Sequence, residues 1–335
     1  MAKYSIILPV RNGGHYVKKC VSSILSQTYT DFNCIILDNC STDGTLEWLR
    51  SLKDDRIWII TTKKSLTIEE NWGRIKDVNK NELITLIGHD DILYPNFLEV
   101  IDRLVKSYPE ASLYHTHFNF IDANGSKIRT CRPMKNCISG YEFLEDFLTI
   151  SIDSMGTGFV MRSKDYDELQ GIPLKYPNLL FADFELWLKL TFKSYLIIAP
   201  EKCFAFRKHQ SITGTSEDKK LHKALEVFIN FLYSLEQNDV QIKKIIEQFG
   251  VQFLLFYCKG FSHRLLRTSL KKREKLTVQD FVEQTKKLAA NLGIQDQYKP
   301  EHVLSIKLAK VIDRNAILRS LFLLFKMIYT KPISK

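Results

Sequence analysis

The sequence predicts an α/β fold: a mostly parallel central sheet flanked by helices, followed by a C-terminal α-helical extension. Three observations carry this. Apolar runs rich in β-branched residues alternate with segments of helical periodicity from Tyr4 to about residue 118. The runs are continuously apolar, the mark of strands buried on both faces. From about residue 217 apolar residues recur at helical spacing alone.

The first strand is "YSIILPV" (4–10). Val17, Cys20, Val21, Ile24 and Leu25 then recur at spacings of three and four, which predicts an amphipathic helix over 15–27. "FNCIILD" (32–38) is a second buried strand, "STDGT" (41–45) a turn, and "LEWLRSL" a short helix. "RIWIITT" (56–62) is a third strand, residues 67–79 read as helix, and "ELITLIG" (82–88) is a fourth strand. "NFLEVIDRLVKSY" is again an amphipathic helix and "ASLYHTHF" a strand. Beyond it, "DANGSK" (122–127) has the Asn-Gly of a tight hairpin. "GTGFVMRS" (156–163) reads as a strand entered through glycines, "FADFELWLKLTFKS" (181–194) as a helix, and "YLIIAP" as a strand. "FRKHQSITGTS" (206–216) reads as a polar loop. The expected division is a catalytic-type α/β domain over 1–215, with halves at about 1–118 and 119–215, and a helical region over 216–335.

Of the 335 residues, 45% are hydrophobic and 26% charged, ordinary values for a globular protein. The seven cysteines include no C-x-x-C, which argues for buried thiols and against a zinc site or disulfide frame. No secretory leader is expected, and no apolar run reaches the length of a membrane span. A cytoplasmic protein is expected. The net charge of +10 is uneven: residues 1–215 hold 26 basic and 26 acidic residues, residues 216–335 hold 22 and 12. A basic helical region suits a solvated surface, self-association or an anionic membrane. The apolar tail residues Leu321, Leu324, Phe325 and Ile328, with Arg319, Lys326 and Lys331 nearby, could lie in a membrane interface or pack as a helix in a dimer or on the rest of the chain. No nucleic-acid partner is expected.

Ligands of parallel sheets bind beyond the carboxyl ends of the strands. Three polar clusters fall there: Arg11-Asn12, Asp38-Asn39 and His89-Asp90-Asp91. Adjacent carboxylates repel unless a cation relieves them, and a hard divalent ion is one solution; the plainer reading is a solvated helix cap. Asp38-Asn39 suits a base edge or ribose, or else a turn. Asp183, at a helix start, suits a general base or a dipole partner. Glu185 lies about 200° around that helix from it. Arg207, Lys208 and His209 suit phosphate oxygens, a metal ligand or a solvated turn.

Taken in order, "SIILPVRN", "VKKCVSSILSQTYTDFNCIILDNCSTDGT" and "NELITLIGHDDILYP" resemble the N-terminal half of a family 2 glycosyltransferase. The resemblance covers about residues 3–215. It implies the GT-A fold, a Rossmann-like sheet, and inverting transfer of a sugar from a nucleotide donor to a hydroxyl of a glycan or lipid-linked acceptor. It implies a divalent cation, Mn2+ or Mg2+, and a place in cell-surface polysaccharide synthesis, with the enzyme cytoplasmic or peripheral at the inner face of the membrane. By position, Pro9 to Asn12 match the loop beside the nucleotide, and Asp38 and Asn39 the acidic pair that holds the base, here with Asn second. Asn71 matches an asparagine near ribose or diphosphate. "HDD" falls on the metal motif, His89 replacing the first acid and Asp91 keeping the last, so that Asp91 is the implied primary ligand, with Asp90 or His89 assisting. In "FADFELWLKL", Ala182 replaces a Glu and Asp183 keeps the base position. Arg207 and His209 match groups near the diphosphate. The motifs of processive synthases are absent, which implies single addition. Two other readings remain: a sugar-nucleotide nucleotidyltransferase, which would grip a triphosphate with a Gly-rich loop where this chain has Gly13-Gly14, and a non-catalytic nucleotide- or membrane-binding module.

Overall fold

The structure is a computed structural model, and it describes residues 2–209, 217–269, 272–273 and 275–329. The chain divides into two units. The first comprises residues 1–143 and 152–211, the second residues 144–151 and 212–335.

The first unit opens with β1 (Tyr4–Val10), α1 (Gly14–Leu25), β2 (Phe32–Asp38), α2 (Thr45–Ser51), β3 (Ile57–Thr61), α3 (Ile68–Gly73) and β4 (Leu83–Leu86). Every residue of β1, β2 and β4 is buried, as their unbroken apolar runs require. These strands and β3 pair in parallel in the order β3-β2-β1-β4. Helix α1 lays Val17, Cys20, Val21 and Ile24 into the core beside them. The parallel arrangement puts the carboxyl ends of β2, β1 and β4 side by side, so the turns after Val10, Asp38 and Leu86 share one edge. The Asn39 N–H donates to Val10 O and the Ile87 N–H to Ile7 O, which extends that alignment past the strand ends.

There follow β5 (Ile92–Leu93), α4 (Phe97–Ser107), β6 (Leu113–Ile121), β7 (Lys127–Thr130), β8 (Cys137–Ser139), α5 (Gly140–Leu148), β9 (Val160–Arg162), α6 (Ser163–Glu168), α7 (Ala182–Lys193) and β10 (Tyr195–Arg207). The sheet continues as β4-β9-β6-β10-β5. Strand β9 is antiparallel to both β4 and β6, while β6 and β10 are parallel. The Asn124-Gly125 turn closes the β6–β7 hairpin, with Gly125 at φ +97, a conformation that glycine adopts without a Cβ penalty. Strand β10 is longer than its apolar run suggests. It carries Phe206 and Arg207, which the polar-loop reading excluded, because Phe206 pairs with Phe120 and Arg207 with Ile121 on β6.

Helix α7 is bound to the loop before β9 by Trp187. Its indole N–H donates to Met155 O at 3.1 Å, and its ring stacks on Phe159, which stacks on His115. Burial holds the His115 imidazole neutral, down to about 3, and one of its nitrogens meets Gly158 O at 2.8 Å.

The second unit is helical: α8 (Asp218–Glu236), α9 (Val240–Arg267), α10 (Val278–Asn291), α11 (Leu304–Arg314) and α12 (Ala316–Ile328). Phe228, Phe253, Phe281 and Leu288 are among its buried side chains. No helix among the described residues is long and apolar enough to cross a membrane. All seven cysteines are free thiols, and five of them are buried.

Candidate functional site

The turn after β4 separates two neighbouring carboxylates by burial. Asp91 points inward and is 2% exposed. Its Oδ1 accepts the Arg207 backbone N–H at 2.8 Å and its Oδ2 accepts the Thr157 hydroxyl at 2.5 Å. Burial first, and then the charge of Asp90, push its carboxyl well above the usual range. Asp90 is less buried, and its Oδ2 lies 2.5 Å from His209 Nε2. Asp91, the expected primary metal ligand, is thus the buried member of the pair, each of its oxygens accepting one protein hydrogen bond, and Asp90 is the more exposed carboxylate.

His89 adjoins this pair. Burial lowers its imidazole, and Asp90, His209 and Asp43 are the charges that act on it. Tyr16 lines the same place: its ring lies 5.0 Å from that of His209 and 4.8 Å from the Arg207 guanidinium carbon. Arg207 itself is 2% exposed. Its Nε donates to Asp90 O and its Nη1 to Asp122 O and Ala123 O, so it clamps the Asp90 turn to the β6–β7 hairpin. Among the described residues its buried Nη2 meets no partner. The rest of the predicted polar loop, 210–216, lies outside the described residues.

The nucleotide-side candidates sort the same way. Asp38 closes β2 with a fully buried carboxylate. Its Oδ2 accepts the Ser41 N–H at 3.3 Å, and its Oδ1 has no partner among the described residues. Asn39 is a clamp: its amide accepts from Leu66 N at 2.7 Å and donates to Leu66 O at 2.9 Å. Asn71 is buried, donates to Leu37 O and accepts from Arg74, whose guanidinium also donates to Asp38 O and Ile60 O. Asn71 therefore holds Arg74 beside Asp38. Pro9 is buried within β1 opposite Leu37. Arg11 is exposed after the strand end, and Asn12, at φ +52, accepts the Thr42 N–H. The N–H groups of Asn12, Gly13 and Gly14 donate to Ser41, Thr45 and Asp43. Those three amides are thus engaged within the fold, in contrast to a loop that grips a triphosphate.

Asp183 stands in the first turn of α7. Three non-glycine residues just before it, Asn178, Leu179 and Phe181, have φ of 54, 56 and 71. Such backbone strain persists where surrounding packing over-determines a site. Asp183 Oδ1 accepts the Phe184 N–H at 2.8 Å. Desolvation raises its carboxyl to about 6 against two backbone hydrogen bonds that lower it. Glu185, by contrast, is buried against Tyr176, Lys175 and Lys189, and its carboxyl is lowered.

One element escaped the sequence reading. Loop 155–158 joins the two carboxylate centres. A Cβ on Gly156 would lie 3.7 Å from Asp183 Oδ2, and the next residue, Thr157, donates to Asp91 and accepts the Gly88 N–H. A Cβ on Gly88 would fall 2.7 Å from Asp90 Oδ1, and one on Gly158 would fall 2.4 Å from the Phe204 ring. The two glycines flanking Thr157 were the visible signal, read only as a strand entry.

Residues 5–169 match the family model described as "Glycosyl transferase family 2". An uncharacterized glycosyltransferase of Rickettsia typhi is 24% identical over 271 residues, 76% of this chain and 80% of that protein. Another, of Rickettsia prowazekii, is 24% identical over 287 residues, 80% of this chain and 85% of that one. The crystal structure of S. aureus TarS 1-349 in complex with UDP-GlcNAc superposes with a TM-score of 0.67 at 12% identity, covering 93% of this chain and 91% of that chain. The fold is the expected GT-A architecture with C-terminal helices.

Proposed function

We propose that this chain is an inverting glycosyltransferase of the family 2 type, moving a sugar from a nucleoside diphosphate donor to a hydroxyl of a glycan or lipid-linked acceptor in cell-surface polysaccharide synthesis. The family match and the glycosyltransferase relatives support the class. The observation that carries the chemistry is the Gly156-Thr157 link, which puts a carboxylate raised to about 6 within one loop of the Asp90–His209 pair.

Asp38 Oδ1, buried and unpartnered, suits an N–H of the donor base, with the Arg74 guanidinium beside it. Among the described residues no cluster of three His, Cys, Asp or Glu side chains is placed to hold a metal. Asp90 would supply one oxygen and His209 one nitrogen to a divalent cation completed by water and donor phosphates, with His89 adjoining; the nitrogen suits Mn2+ better than Mg2+. A divalent cation there would neutralise charge on the departing diphosphate. Asp183 Oδ2 takes the acceptor hydroxyl proton. The acceptor oxygen bonds to the anomeric carbon as that carbon's bond to the diphosphate oxygen breaks, and the configuration inverts. The hydrogen-bonded amides of Asn12 to Gly14 disfavour a nucleotidyltransferase.

The test is nucleotide release from a panel of nucleotide sugars with Mn2+, with and without acceptor. Acceptor-stimulated nucleoside diphosphate release supports the proposal. Pyrophosphate release from a triphosphate, or binding without turnover, overturns it.

A further inference from the structure

The described residues expose large apolar side chains mostly in one place, helices α11 and α12 of the second unit. Leu304, Leu308 and Val311 recur on α11 at spacings of four and three, while Ile306 and Ala309 of the same helix are buried. On α12, Ile317, Leu321, Leu324 and Ile328 are exposed, Ile317 at 73% and Ile328 at 77%. Arg319 is the buried residue of that helix. Its guanidinium donates to Thr268 O and Leu266 O at the end of α9, against the sequence expectation of a surface cation. At about 100° per residue, the four apolar side chains fall within about 40° of the direction opposite Arg319. Helix α12 is thus fixed by one face and offers the other. Lys331, grouped with this surface by the sequence, lies outside the described residues.

Charge identifies the occupant. Between Leu304 and Tyr329 the one acidic residue is Asp313. Its side chain is 3% exposed, with Oδ1 2.7 Å from Arg273 Nη1 and Oδ2 accepting the Val278 N–H. The cations Lys307, Arg314 and Lys326 are exposed. Lys326 also joins a basic group on α9, since the charges of Lys259, Lys326 and Arg267 all act on the His263 imidazole. On α11 the apolar stripe is bordered by the exposed Lys307 and Arg314, and the only carboxylate of residues 304–329 is turned inward, a pattern that matches an anionic lipid surface. A second copy pressed on the same face would set like charges against each other, because a two-fold interface pairs each patch with itself.

We propose that α11 and α12 form an in-plane amphipathic element that docks this chain on anionic phospholipid. The proposal stands apart from the transferase reading.

The full chain is tested by co-sedimentation with phosphatidylcholine vesicles with and without about 30% phosphatidylglycerol, since anionic headgroups supply the surface potential. The wild type is expected to pellet with the anionic vesicles and to be released at high salt. Leu321→Glu with Ile328→Glu, and separately Lys307→Glu with Arg314→Glu, are each expected to weaken binding about tenfold or more. These side chains are solvent-exposed, so circular dichroism melting should match the wild type. Recovery of the wild type in the supernatant with both vesicle types overturns the proposal, as does undiminished binding by both variants. A wild-type dimer in sedimentation velocity that Leu321→Glu with Ile328→Glu converts to monomer, without vesicle binding, overturns it in favour of a second copy. Nucleotide release with a water-soluble acceptor is expected to be unchanged in both variants, which separates this result from any failure of the transferase reading.

Discussion

Asp90 and Asp91 are chemically identical and adjacent, yet their surroundings give them different work. Replacing Asp91 with Ala strands the Arg207 N–H and removes the Thr157 acceptor inside the core. The expected cost is about 2 to 4 kcal/mol in urea unfolding, from buried groups left without partners. Asp90→Ala is expected to leave stability within about 0.5 kcal/mol and instead to raise the Mn2+ concentration needed for half-maximal turnover. Equal losses of stability in the two variants would contradict this division. Asp183 makes the sharper prediction. As a base it must be ionised, and its carboxyl is raised to about 6, so kcat/KM should climb with pH through that value and level off above it. Asp183→Asn keeps an oxygen for the Phe184 N–H, and should lower turnover about 100- to 10,000-fold without weakening donor binding measured by calorimetry. A variant with wild-type turnover would remove Asp183 from the mechanism.

At the scale of elements, the loop between α5 and β9 joins the two halves of the site. It is held on one side by Trp187 of α7 and Phe159, and on the other by Thr157 against the β4 turn. Gly158 sits at φ +90 with the Phe204 ring where a Cβ would go. Gly158→Ala should cost about 2 kcal/mol or more in unfolding, from backbone strain and overpacking together. It should also lower turnover more than donor affinity, because the loop reaches both Asp183 and the Asp90–Asp91 turn. A variant with wild-type melting and turnover would show that the loop is not held this tightly. This element was poorly legible in sequence. Its glycines were visible, but a glycine's purpose is the neighbour it admits, and Phe204 lies 46 residues away in the chain. Strands β1, β2 and β4 were legible for the opposite reason: a strand buried on both faces writes its own apolar run.

At the scale of the molecule, the proposed cation site of two protein donors predicts a particular response to chelation. With a chelator and no donor, the melting temperature should stay the same, since neither unit's core rests on the ion. With Mn2+ and nucleotide sugar together, binding at about 100 times Kd adds about 2.7 kcal/mol of stability, and chelation should abolish that gain. A large fall in melting temperature on chelation alone would mean that the cation is structural. The uneven charge of the chain belongs to this scale too. Residues 1–215 balance and the excess lies beyond them, a division visible in composition. Which cations of that excess face outward was not visible, and Arg319 faces inward.

The sequence by itself determined the order of β1 to β4 with α1 to α4 and β6, though not β5, β8, α5 or α6, together with the edge of the sheet at which polar groups gather and the identity of Asp38, Asp90 and Asp183 as carboxylates at element ends. These follow from local rules, because periodicity and strand termination are written in neighbouring residues. Tertiary structure alone decided which of those side chains remain available. Asn39, Asn71, Asp91 and Arg207 are ligand candidates in the sequence, and each is engaged by a partner distant in the chain: Leu66, Leu37, Thr157 and Asp122 respectively. A polar group's function depends on what remains after its internal hydrogen bonds are made, and those partners are set by folding rather than by adjacency.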